Sequence, residues 1–133
     1  MVTFNDFSNK IHQDGQDLNP WTYGIFTYIN KSSGNPIPPP SQEHGHGLLF
    51  TRHACLIDFA HANGIVEVLW QTTKFEHQTT FPPPSLRTTE QHTHFGSSFQ
   101  INKKLALASA NLKHASDEVV ESKTLCKHQK YSL

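Results

Sequence analysis

The chain has 133 residues, and its 11 lysines and arginines balance its 11 aspartates and glutamates. That length suits one small domain, and the zero net charge excludes a broadly basic face for nucleic acid or anionic lipid. Nine Phe, three Tyr and two Trp, with only 17% charged residues, reverse the composition of a disordered chain and predict a small globular core. No apolar run is long enough to span a bilayer and no secretory leader pattern is present. We therefore expect an intracellular protein of the nucleus or cytoplasm, without a membrane partner.

Short strands separated by glycine and proline make up most of the predicted structure. An aromatic, β-branched segment opens the series, and the sequence PIPPP, which neither a helix nor a central strand tolerates, lies in the loop after it. The predicted strands are residues 21–29, 47–50, 53–59, 64–70, 72–80 and 94–101. The tetrapeptide His-Ala-Asn-Gly at 61–64 predicts a hairpin turn between two of them. Only residues 102–112, rich in Ala and Leu behind Asn102 as N-cap, predict a helix.

This order of elements predicts a mainly β fold, a sandwich or a roll, with one helix near its carboxyl end. Residues 1–112 are expected to form a single domain. Residues 113–133 lose hydrophobic periodicity and predict a polar, flexible tail.

His12 and Asp14 are the strongest local candidates for metal ligands. Residues two apart on an extended strand point to the same side, so this imidazole and this carboxylate can bind one ion. His77, on a later strand-like segment, is the natural third ligand. Two histidines and one carboxylate suit non-haem Fe(II), because they leave positions for a co-substrate and O2. The alternatives are a polar turn residue at His12, an Asx-type loop residue at Asp14 and an exposed strand residue at His77.

Further histidines leave a second metal chemistry open. Two pairs have the spacing of two residues that metal ligands often show, His44 with His46 and His92 with His94. They keep a histidine-rich nickel or zinc binder as an alternative, although the glycine-rich loop around His44 organises ligands poorly. The two cysteines, Cys55 and Cys126, fit neither a disulfide framework nor a structural zinc spacing.

The motifs in chain order carry a family resemblance. They are HxD, the aromatic strand, the proline-rich loop, GLLF, IDF, GIVEVLW, FEHQTT and HFGSSFQI. Over residues 5–112 the chain resembles the carboxy-terminal half of Fe(II)/2-oxoglutarate-dependent dioxygenases, most of all fungal oxygenases of the Tet/JBP type. The resemblance implies a double-stranded β-helix (a jelly-roll, cupin-like fold), Fe(II) bound by His12, Asp14 and His77, and 2-oxoglutarate as co-substrate. It also implies hydroxylation of a C–H bond, with a methylated base flipped from its duplex as one substrate class.

The sequence departs from this family in two places. The family pairs the distal carboxylate of 2-oxoglutarate with a guanidinium beyond the second histidine. Here His94 stands at the matching position and the nearest arginine is Arg87, so either of these two is the expected co-substrate ligand. The alternatives are that Arg87 is a solvated loop cation and that the co-substrate site is degraded. Few residues precede His12, which predicts an incomplete roll with an unpaired strand edge. A catalytically inactive β-roll fragment or binding module is the alternative function.

Overall fold

The computed structural model describes residues 1–62, 64–113, 116 and 119. The backbone divides into two compact units, Met1–Gln100 and Ile101–Leu133. The strands of the first unit are β1 (Val2–Phe4), β2 (Trp21–Asn30), β3 (Pro36–Ile37), β4 (Gly47–Phe50), β5 (Cys55–Asp58), β6 (Val66–Gln71), β7 (Gln78–Thr79) and β8 (His92–Phe99). Short 3-10 turns lie at Thr51–His53, Phe59–His61 and Pro84–Leu86, and the second unit contains α1 (Lys103–Lys113).

The strands of the first unit form two antiparallel sheets. In the larger sheet β8 lies between β1 and β2, and the other edge of β2 pairs with β6 and then with β3. In the smaller sheet β4 lies between β5 and β7. The fold is therefore mainly β and jelly-roll-like with one helix near the carboxyl end, as predicted. The closed double-stranded β-helix and the incompleteness of the roll stay predictions.

The apolar core draws on both sheets and the turns between them. Its buried members are Phe26, Tyr28, Leu48, Phe50, Phe59, Ala60, Val68, Trp70 and Leu86. Phe26 of β2 stacks on Phe59 with ring centroids 4.6 Å apart. A Cβ on Gly24 would lie 2.8 Å from the Trp70 ring, so glycine at this position lets the indole cross β2. Trp70 is thus a core residue and not an exposed platform for base stacking.

Most predicted strands are confirmed, but the predicted hairpin turn and one predicted strand are wrong. The segments 21–29, 47–50 and 64–70 become β2, β4 and β6. The segments 53–59 and 94–101 become β5 and β8 with shifted ends. The hairpin predicted at 61–64 does not form, because β5 pairs with β4 while β6 pairs with β2. The strand predicted over 72–80 is reduced to β7 and an isolated bridge at His77. Within the proline-rich loop, β3 lies at the sheet edge, where proline is tolerated.

The helix starts where the sequence predicts. Asn102 is its N-cap, because its side-chain oxygen accepts a 2.8 Å hydrogen bond from the Lys104 backbone N–H. Within the described part of the chain, no helix is long and apolar enough to cross a membrane. Apart from residues 113, 116 and 119, the predicted tail lies outside the described residues, and so does Cys126.

Candidate metal centre

Backbone pairing places two distant histidines side by side. His12 and His77 form an isolated antiparallel bridge, in which each backbone N–H donates to the other residue's carbonyl at 3.1 and 3.0 Å. Residues opposite each other in such a pair share a face, and the two imidazole centroids lie 4.5 Å apart. Asp14 is two residues beyond His12, and its own N–H donates to the Thr72 carbonyl at 3.0 Å. The structure thus brings together the three residues that the sequence predicts, from positions 12, 14 and 77.

The same kind of hydrogen bond, from Nδ1 to a backbone carbonyl, orients both imidazoles. His12 Nδ1 lies 2.8 Å from the Lys10 carbonyl, and His77 Nδ1 lies 2.9 Å from the Phe75 carbonyl. Because a carbonyl only accepts, each Nδ1 carries the hydrogen and donates it. In a neutral imidazole this leaves Nε2 with a free lone pair. Both rings therefore present Nε2 as the ligand atom.

Both Nε2 atoms face the Asp14 carboxylate. His12 Nε2 is 3.5 Å from Asp14 Oδ1, and His77 Nε2 is 3.7 Å from Asp14 Oδ2. One ligand atom from each residue lies within 4.8 Å of the others. These distances are too long for good hydrogen bonds, and imidazole lone pairs facing a carboxylate repel it unless a cation lies between them. The donor set fits a divalent metal ion, and three ligands of this type suit Fe(II).

Burial and outer contacts fix the carboxylate and the second histidine. His77 is only 4% exposed, which corrects the alternative of an exposed strand residue. Burial lowers the pKa of His77 below its usual value and so favours the neutral, ligating form. Gln100 Nε2 donates to Asp14 Oδ2 at 2.5 Å, which holds that oxygen in place. Outer hydrogen bonds of this kind orient metal ligands.

A cavity of about 320 Å³ opens beside the three residues. Its wall includes Lys10 beside His12, and Ser97, Ser98 and Gln100 at the end of β8 and just beyond it. Two buried polar atoms in this wall, Trp70 Nε1 and Ser98 Oγ, have no hydrogen-bond partner within the described residues. Unpaired buried donors are costly and often mark a site that a ligand completes. The volume and these donors fit a small dicarboxylate such as 2-oxoglutarate.

The structure does not place Arg87 or His94 in the wall of this cavity. The exposed Arg87 guanidinium lies 5.0 Å from the centroid of the Phe81 ring, and its Nε donates to the Pro82 carbonyl. His94 is 1% exposed, and its ring stacks on Phe59 with centroids 5.1 Å apart. Burial lowers the pKa of His94 to about 3, so the ring is neutral at neutral pH.

Lys10, Ser98 and Gln100 are not among the site residues predicted from the sequence. Lys10 is two residues before His12, the spacing that places residues of an extended strand on one side, and this spacing could have drawn attention to it. Ser98 and Gln100 have no comparable local pattern. Their positions follow from the pairing of β8 with β2, which only the folded sheet shows.

A comparison of the sequence with models of known protein families identifies the family of this chain. The family model of the Tet-like 2OG-Fe(II) oxygenase superfamily matches residues 1–82, more than half of the chain. The chain belongs to this superfamily. The matched span contains His12, Asp14 and His77 and ends before Arg87 and His94. No curated protein and no solved structure matches the chain.

Membership sets the cofactors of this Tet-like oxygenase. The family works with Fe(II) and takes 2-oxoglutarate as co-substrate, and the paired histidines and carboxylate are compatible with both. A function of the 2OG-Fe(II) oxygenase kind follows, and the alternative of an inactive β-roll module is not favoured. The closer likeness to fungal Tet/JBP-type enzymes stays a prediction.

Proposed function

We propose that this Tet-like oxygenase hydroxylates a C–H bond at an iron bound by His12, Asp14 and His77. The observation that supports it most is the convergence of two imidazole Nε2 atoms on one carboxylate, 3.5 and 3.7 Å from its oxygens. When bound, iron supplies the activation of O2 that couples oxidative decarboxylation of 2-oxoglutarate to hydroxylation. The balanced reaction consumes 2-oxoglutarate, O2 and the C–H substrate, and it yields succinate, CO2 and the alcohol.

The chain's own residues hold the three proposed ligands in place. The Lys10 and Phe75 carbonyls keep both Nδ1 atoms protonated, so that Nε2 stays free for the metal. Gln100 Nε2 donates a hydrogen bond to Asp14 Oδ2 and so holds the carboxylate in place. Trp70 packs edge-on against His77 with ring centroids 5.6 Å apart and covers its buried side. A fixed ligand set suppresses side reactions at such a centre.

Lys10 is our proposed partner for the free carboxylate of 2-oxoglutarate. Among the residues that the structure describes, it is the one lysine or arginine in the cavity wall. Trp70 Nε1 and Ser98 Oγ offer two further donors in the same wall. Arg87 lies outside that wall, and the neutral His94 carries no charge to pair with a carboxylate. A charged partner is required because an ionised carboxylate leaves water only at high cost.

A direct assay tests which class of molecule carries the C–H bond that is hydroxylated. A methylated base is the class that the family resemblance implies, and the chain's zero net charge adds no electrostatic support for nucleic acid. Succinate release should therefore be measured with the enzyme alone and with a methylated oligonucleotide. A substrate-dependent rise supports the methylated base, and no rise removes it from the proposal.

Anaerobic titration tests the metal assignment. With Fe(II) and 2-oxoglutarate, the wild-type chain should develop the weak visible charge-transfer absorption of iron chelated by a 2-oxo acid. His12→Ala and His77→Ala should abolish it. His53→Ala is the matched control, because His53 is an exposed histidine outside the metal centre, and it should leave the band unchanged. A wild-type band that survives both of the first substitutions contradicts the proposal, and so does a wild-type chain without a band.

A second pair of variants separates Lys10 from Arg87. Lys10→Ala should weaken 2-oxoglutarate binding by roughly tenfold or more, the worth of one hydrogen bond to a charged group. Arg87→Ala removes another exposed cation, which lies outside the cavity wall, and should leave that affinity unchanged. The affinity is read from the same charge-transfer band at saturating Fe(II). The reverse result assigns the co-substrate to Arg87 and rejects Lys10.

A further inference from the structure

A second group of two histidines and one carboxylate lies apart from the cavity. His44 Nδ1 is 3.1 Å from Asp58 Oδ2, and His61 Nδ1 is 3.5 Å from Asp58 Oδ1. One ligand atom from each of the three lies within 4.8 Å of the others. The two imidazoles stack with centroids 4.0 Å apart and planes 11° apart. Both rings therefore direct a nitrogen at the same carboxylate.

Local backbone structure holds the carboxylate in place. Asp58 ends β5 and caps the 3-10 turn Phe59–His61, where its Oδ1 accepts from the Ala60 N–H at 2.9 Å. Its Oδ2 accepts from the Gly45 N–H at 3.1 Å. These main-chain donors orient both oxygens before any metal binds, as outer hydrogen bonds do at metal sites. The group joins the loop before β4 to the turn after β5.

The alternative to a metal is a set of hydrogen bonds, and it satisfies the group only in part. His44 Nδ1 lies at hydrogen-bond distance from Asp58 Oδ2, 3.1 Å, whereas His61 Nδ1 is 3.5 Å from Oδ1, too far for a good hydrogen bond. Each neutral imidazole donates one hydrogen, and two parallel imidazolium rings 4.0 Å apart would repel each other as like charges. One divalent cation satisfies both nitrogens and the carboxylate together. Imidazole and carboxylate donors suit zinc, copper and nickel. The side chains of His44 and His61 are 79% and 40% exposed, so water can complete the coordination.

We propose that His44, Asp58 and His61 form a second, surface site for a divalent transition-metal ion of the zinc type. In the structure His44 and His46, which are paired by their spacing in the sequence, do not lie in one site. His46 is buried with its Nδ1 2.6 Å from the Tyr28 hydroxyl, and it does not join His44. This second site does not depend on the iron assignment, because it shares no residue with it.

The test uses Zn²⁺ with the full chain, free of iron. A His12→Ala/His77→Ala background removes the first centre, and calorimetric titration should still detect one equivalent of Zn²⁺. Adding His61→Ala or Asp58→Asn should weaken that binding by at least about tenfold, as expected when a ligand or its support is lost. Adding His53→Ala instead should change nothing. No Zn²⁺ binding in the background, or equal binding by the His61→Ala and His53→Ala versions, overturns the proposal.

A measurement on the wild-type chain covers the case in which the background variant fails to fold. Substoichiometric Ni²⁺ should broaden the imidazole NMR signals of His44 and His61 together with those of His12 and His77. The His53 signals should stay sharp. Broadening confined to His12 and His77 rejects the second site while leaving the first intact, so the two proposals fail separately.

Discussion

At the scale of single residues, the proposed metal centre depends on groups outside its three ligands. Gln100 Nε2 donates to Asp14 Oδ2, while the outer nitrogens of both histidines are fixed by backbone carbonyls that no substitution removes. Gln100 is thus the side chain through which this support can be tested. We expect Gln100→Ala to weaken Fe(II) binding about 10- to 100-fold, the usual effect of losing an outer hydrogen bond. Anaerobic Fe(II) titration in the presence of 2-oxoglutarate measures it.

The control for this change is Gln91→Ala, which shortens an exposed glutamine just before β8. Its Fe(II) affinity should equal that of the wild type. Gln100→Glu is a second probe, since it removes the Nε2 donor while it keeps the length of the side chain. Unchanged affinity in both Gln100 variants would show that Asp14 is held by its backbone alone.

Residue spacing and residue pairing differ in what a sequence can predict. The common face of His12 and Asp14 follows from the two-residue repeat of an extended chain. The partner His77 could be named as a third ligand, but its register opposite His12 depends on pairing between segments far apart in sequence. The residues that bind the co-substrate are harder to predict from the sequence than the metal ligands. The position of His94 in the sequence predicts it as a co-substrate ligand, but in the fold its ring is buried among aromatic rings and lies outside the cavity wall.

At the scale of elements, the segment that carries His12 and Asp14 is attached to the end of β6 through a buried polar chain. The Thr22 hydroxyl donates to Thr72 Oγ1, which donates to Asp17 Oδ2, each at 3.2 Å. Thr22 and Thr72 are fully buried. We expect Thr72→Val to lower the free energy of unfolding by about 1–3 kcal/mol, because Thr22 and Asp17 each lose a buried partner while the side-chain volume is kept. Urea unfolding measures the change.

Thr73→Val is the matched control, because Thr73 is the next residue along the chain and is only half-buried. Its free energy of unfolding should stay within about 0.5 kcal/mol of the wild type. A Thr72→Val protein as stable as the wild type would mean that other contacts of Asp17 and Thr22 are sufficient.

The same region explains why strand prediction failed after residue 71. Residues 72–80 have the composition of a strand, yet their backbone groups bond to the segment that carries His12 and Asp14 as well as to β4. The Thr72 carbonyl accepts from Asp14, and the Thr79 carbonyl accepts from Asn9. Elements such as β2 are predictable because their aromatic and β-branched composition agrees with their pairing. Irregular pairing around a site depends on tertiary contacts that local composition does not encode.

At the scale of the whole molecule, acid should destabilise the fold through a buried histidine. His94 packs against Phe26, Phe59 and Tyr28, and both of its ring nitrogens lack a hydrogen-bond partner among the described residues. Burial, with His46 at a ring-centroid distance of 4.4 Å as a smaller cause, lowers the pKa of His94 from 6.5 to about 3. The unfolded chain therefore binds a proton at this residue from about pH 6.5 downward, while the folded chain stays neutral until about pH 3.

Stability linked to His94 is thus complete above pH 6.5 and falls as the pH is lowered towards 3. Between pH 7 and pH 5 this one residue should cost about 2 kcal/mol of the free energy of unfolding. His94→Phe keeps a flat ring in the aromatic stack and removes two unpaired nitrogens, so it should match or exceed wild-type stability at pH 7. Urea unfolding at pH 7 and pH 5 should then show a loss about 2 kcal/mol smaller in His94→Phe than in the wild type. The difference between the two proteins isolates His94, because His46 and His77 titrate in both. Equal losses would contradict the assignment, and an NMR titration showing His94 protonated in the folded chain at pH 5 would do so independently.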